Sequence, residues 1–233
     1  MSELFSIQLQ NRQQQGGDGV WLDLPTTTEQ VQAALRQIGI SSDNPQNLFI
    51  SGYFAEEEKR FAIPYNMVLA SNVDELNFLA ARLETLSAGE RAELNAALQT
   101  PQSEFFSIGR ITDFHENVDY YVHLPDVHGP AQLGDYYLNR SGMVDMPEEW
   151  KGGIDTAQFG RYVAQQEQGA FTQYGYLVKS GDEWQKVHEG QPVPEEYRVL
   201  SFPAPEVLRD SANIPPPVQS TTEQQKVIPI ILN

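Results

Sequence analysis

The chain has 233 residues and a mass of 26.2 kDa, with 32 Asp and Glu against 15 Lys and Arg, a net charge of −17 and a pI near 4.5. Apolar residues make up 40% and cysteine is absent, which excludes a disulfide framework and thiolate metal sites and fits a reducing, cytoplasmic setting. No run approaches the 18 apolar residues of a membrane span, the start Met1-Ser2-Glu3-Leu4 lacks signal-peptide character, and the acidity argues against any duty that neutralises phosphates.

Residues 4–9 and Val20–Leu24 are short β-prone runs around the loop 13–19 and predict a hairpin. Thr26-x-x-Glu29 is a capping-box pattern ahead of Val31, Leu35 and Ile38 at helical spacing, and Leu48–Phe54 returns to strand character. Residues 1–63 therefore predict a small α+β domain. Val73, Leu76, Leu79, Ala80 and Leu83 mark a helix over about 72–85, and Ser87-x-x-Glu90 caps a second helix striped by Leu94, Ala97 and Leu98. Joined by a tight turn, these predict a helical domain over 64–103.

A third, acidic α+β domain is expected over 104–189. Its elements are a strand at Tyr120–Leu124, a helix over Ala131–Asn139, a helix first turn at Pro147–Trp150 and a helix capped by Asp155 that ends near Gly169. A strand over Ala170–Val178 follows, with Asp182–Val187 as its pairing candidate. Eight of the 15 prolines lie in the last 44 residues, so 190–233 predicts an extended, largely disordered Pro-rich tail. Its terminal run Val227–Leu232 is apolar enough to dock elsewhere. The whole reads as an α+β fold, an elongated chain of three small domains plus a tail.

The chain contains no phosphate-binding glycine loop, no dinucleotide fingerprint and no nucleophile elbow. His123 and His128 with Asp126 between them could be drawn as a metal site, but a strand position and a loop position fix no shared face. The pairs Glu148-Glu149 and Asp182-Glu183 are adjacent, so their carboxylates point apart and cannot flank one bond. No catalytic residue, cofactor or metal ligand is assigned, and an enzyme is not expected.

The acids have a distribution. Residues 104–149 hold nine acids and two bases, a net of −7 equal to that of residues 1–99. They are rarely followed at i+4 by Lys or Arg, which suits an outward-facing array better than a lattice of ion pairs. Asp113, Glu116, Asp119, Asp126, Asp135, Asp145, Glu148 and Glu149 are the expected partner-binding acids. Acids scattered for solubility are the plainer alternative. The scale suits imitation of DNA: a compact body of this length is about 45 Å across, and that length of duplex carries about 26 phosphates.

The ordered set Gly19-Val20-Trp21-Leu22-Asp23-Leu24-Pro25, Leu133-Gly134-Asp135-Tyr136-Tyr137, Ser141-Gly142, Pro147-Glu148-Glu149, Ile154-Asp155, Phe159-Gly160-Arg161, Gly169-Ala170-Phe171-Thr172 and Gly175-Tyr176 resembles the ArdA antirestriction family of plasmids and conjugative transposons. The resemblance spans about residues 3–180. It implies three small domains in a row, an elongated homodimer and surface acids that imitate bent DNA. Such a protein would occupy the DNA groove of type I restriction-modification enzymes, with no nucleic acid or membrane partner. One departure is that residues 155–168 hold only Asp155 and Glu167 against Arg161, where the family carries a strongly acidic helix. The alternative is a mobile-element accessory protein that binds another protein through this scaffold or its Pro-rich tail, without DNA mimicry.

Overall fold

The computed structural model describes residues 3–14, 17–101 and 103–205. The first hairpin forms as expected: β1 (Phe5–Asn11) and β2 (Val20–Leu24) pair antiparallel, Phe5 opposite Leu24 and Leu9 opposite Val20. Alternation along β1 buries Phe5, Ile7 and Leu9 and turns Ser6, Gln8 and Gln10 outward. β3 (Leu48–Phe54) adds to the other side of β1, giving the order β2-β1-β3.

α1 (Thr28–Gln37) starts one residue later than the Thr26/Glu29 pattern predicts, because Thr27 and Gln30 form the capping box. Thr26 is buried, its amide held at 2.7 Å by the Asn77 side chain, so it is committed to tertiary packing. Next come α2 (Tyr65–Leu69), α3 (Val73–Glu84) and α4 (Ala88–Gln99), the last two opened by the boxes Asn72/Glu75 and Ser87/Glu90. α3 and α4 are the expected helical hairpin. The short helices α2 and α5 (Ile108–Thr112) have too few turns for periodicity to announce them.

β4 (Tyr121–Leu124), α6 (Pro130–Asn139), α7 (Glu148–Lys151) and α8 (Thr156–Glu167) follow. The expected strand over 170–178 is instead two, β5 (Ala170–Thr172) and β6 (Gly175–Lys179), folded at Gly175, whose φ of +119° a side chain would oppose. The second sheet runs β4-β6-β5. Asp182–Val187 does not pair with β6, because β4 takes that edge from Tyr121 opposite Lys179 to Leu124 opposite Tyr176. The architecture is α+β, with two small antiparallel sheets and eight helices among the described residues.

Buried apolar residues from Leu4 to Phe114 form one connected core, joined by Leu177 and Val199, that runs past residues 63 and 103 without a break. A second, small cluster centres on Val127, Leu133, Ala164 and Tyr176. Of the Pro-rich segment from 190, residues 190–205 run along the first core, and 206–233, with the Val227–Leu232 run, lie outside the described residues. No described helix is long and apolar enough to cross a membrane.

Candidate acidic interaction surface

The eight expected acids separate into three environments. Asp119, Asp126, Asp145 and Glu149 are exposed and form no ion pair with a described residue. Glu148, Asp135 and Glu116 are matched by cations: Lys151 lies 2.9 Å from Glu148, Arg140 lies 3.2 Å from Asp135, and the Arg82 guanidinium contacts Glu116. Asp113 is a correction. It is 0% exposed and presents nothing to a partner. Its oxygens instead accept the backbone amides of His188 at 2.6 Å and Glu189 at 3.2 Å.

The fold also assembles acids that are far apart in sequence. Glu116, Asp119, Asp182 and Glu183 line one shallow depression together with Tyr120 and Trp184. Asn117 creates it by holding the Gln185 backbone on both sides: the Gln185 amide donates to Asn117 Oδ1 at 2.7 Å, and Asn117 Nδ2 donates to the Gln185 carbonyl at 2.9 Å. Glu93 of α4 senses the same field. Burial pushes its carboxyl up to about 8, and the charges of Glu90 and Asp119 push the same way. Its Oε1 is buried without a hydrogen-bond partner. Glu93 carried no signal in the sequence, and the Asp182-Glu183 pair reads there as an ordinary solvated face.

Asp155 and Glu167, the two acids of the 155–168 helix, serve its local structure. Asp155 caps α8 by accepting the Gln158 amide at 2.9 Å. Glu167 sits in the last turn, where the helix dipole disfavours an anion, and takes hydroxyl donors from Tyr137 and, at 3.0 Å, Tyr176. Burial together with that carboxylate pushes both phenols well above their ordinary range. The glycines of the resembling motifs have a packing reason as well. A Cβ on Gly134 would overlap the Thr156 carbonyl, and one on Gly160 would overlap the Pro130 carbonyl, so only glycine lets α6 and α8 approach this closely.

Metal-ligating geometry is no better supplied. Asp113, Glu116 and His188 bring ligand atoms within 4.8 Å of one another. Two amides already occupy Asp113, and Arg82 occupies Glu116. His123 donates Nε2–H to the Tyr174 carbonyl at 2.7 Å, which fixes it as a strand-surface residue apart from exposed His128.

What the surface offers is charge. Four exposed carboxylates have no ion-pair partner among the described residues, and one of them, Asp119, lines the acidic depression. A family model described as antirestriction protein (ArdA) matches residues 17–178, from the loop before β2 into β6. No curated protein matches the chain.

Proposed function

The chain belongs to the ArdA family of antirestriction proteins, and from that premise we propose that it acts as a DNA mimic, occupying the DNA-binding groove of a type I restriction-modification enzyme. The observation that carries this reading is the set Asp119, Asp126, Asp145 and Glu149, exposed and without an ion pair to any described residue, within a segment of nine acids and two bases. A groove lined by Lys and Arg for phosphates attracts such carboxylates over about 10 Å at 0.1 M salt and less at higher ionic strength. The protein would work as a homodimer in the cytoplasm, without cofactor or chemical step, and would shield incoming DNA by competition.

Competition between the protein and labelled DNA for a type I enzyme tests the reading. DNA should be displaced at low salt and displaced less as salt rises. The combined variant Asp119→Asn, Asp126→Asn, Asp145→Asn, Glu149→Gln should compete at least tenfold less well and show a flatter salt dependence. The control Asp135→Asn, Glu148→Gln, whose carboxylates are already matched by cations, should change little. Absence of displacement by the unmodified protein at low salt would end the proposal.

A further inference from the structure

Residues 182–205 cross the molecule with a single 3-10 turn at Glu195–Tyr197 and no strand, so their backbone polar groups must be satisfied by other means. Side chains of the first core supply the partners. Asn117 holds Gln185, and Asp113 holds His188 and Glu189. Asn77 donates to the Tyr197 carbonyl at 3.0 Å, and Asp74 Oδ1 accepts the amides of Val199 and Leu200, each at 2.7 Å. Beyond these, Gln32 reaches Ser201 at 3.1 Å, and the Ser42 amide donates to the Pro203 carbonyl at 2.9 Å. Three of the anchors, Asp113, Asn117 and Asn77, are themselves buried.

We infer that residues 182–205 form a brace that docks and releases as one unit, tying α1 and the loop after it to α3 and to the segment from α5 to Asn117, and setting Asp182 and Glu183 beside Asp119. Two features couple its halves. The Phe78 ring is shared, with His188 edge-on at 4.9 Å on one side and Tyr197 at 4.6 Å on the other, so neither half leaves without uncovering it. Pro192 and Pro194 stiffen the connection between those contacts. Losing one anchor also leaves the remaining buried acceptors to be satisfied by a loosened chain, which favours release of all over release of one. The brace begins past residue 178, where the family match stops. Only its consequence for partner binding rests on the proposed function.

Amide hydrogen exchange in the full-length protein without any partner tests the device directly. Asp74→Ala removes one anchor. Exchange should rise at least tenfold at Val199 and Leu200, and by a similar factor at Ser42, Gln185 and His188, whose partners Asp74 never touches. Amides in the middle of α4 should be unchanged. Gly109→Ala attacks the other end, because its Cβ would stand 3.1 Å from the Glu189 Cα, and it should produce the same joint rise. Asp74→Asn keeps an acceptor oxygen and should retain most protection. Should Asp74→Ala unfold the chain, so that α4 exchanges too, Gly109→Ala and Asp74→Asn decide. A rise confined to Val199 and Leu200, or no rise at all, overturns the inference. If the joint rise occurs while competition with DNA is unaffected, the brace stands and its link to the acidic surface fails. If the unmodified protein displaces no DNA, only the proposed function is lost.

Discussion

The two cores of this protein are built on different principles. The first packs more than thirty buried apolar residues between a three-stranded sheet and helices α1 to α5, and most of its positions ask only for an aliphatic group of suitable size. The second has four buried apolar residues. It compensates with glycines that let α6 and α8 touch backbone to backbone, and with a carboxylate held between two tyrosines. A small core cannot spread its stability over many contacts. It depends on particular residues, and several pieces of the motifs resembling the family supply them: Leu133, Gly134, Tyr136, Tyr137, Gly160, Phe171 and Tyr176.

Substitutions should separate these principles. Leu79→Ala in α3 empties a fully buried site in the large core. It should cost about 2–5 kcal/mol, lowering the melting point of the whole chain in calorimetry. Gly160→Ala forces a methyl group into the Pro130 carbonyl and should cost about 3 kcal/mol. Its signature is local, with α6 and α8 amides losing exchange protection while α3 keeps it. Simultaneous loss in α3 would mean that the two cores melt as one. Glu167→Gln leaves one acceptor oxygen for two tyrosine hydroxyls and should cost about 2 kcal/mol, with the loss again confined to the second core.

The pH-dependent effect concerns Glu93, at the seam between the large core and the acidic depression. Its carboxyl stands at about 8 in the folded chain against 4.5 for an unperturbed group. The folded state therefore holds this proton more tightly than the unfolded state. Stability from this group is fully present below pH 4.5, declines as pH rises, and is gone above about 8. Glu93→Gln should raise the melting temperature at pH 8.5 and change it little at pH 4.5. An equal effect at both values would show that the carboxyl is not perturbed.

Local order was legible in the amino acids wherever it depended on neighbours a few positions away. The Ser87/Glu90 box, the α3 stripe and the first hairpin all fell where spacing placed them. The first helix cap moved by one residue because Asn77, 51 positions along the chain, takes the Thr26 amide. The expected strand at 170–178 broke at a glycine with positive φ, and Asp182–Val187 lost its place in the sheet to β4, a competition that spacing does not record.

The acids show the same division most clearly. Number and order along the chain are properties of the sequence, and so are helix periodicity, capping chemistry and the motif series that places this protein in its family. Which carboxylates remain available was decided by the folded arrangement, since availability depends on what lies across from each group. Asp113 went inward to hold backbone amides, Glu116 met Arg82, and Asp119 stayed open beside Asp182 and Glu183, more than sixty residues away. A charge belongs to its residue, but its neutralisation belongs to whichever neighbours the chain brings within a few ångströms.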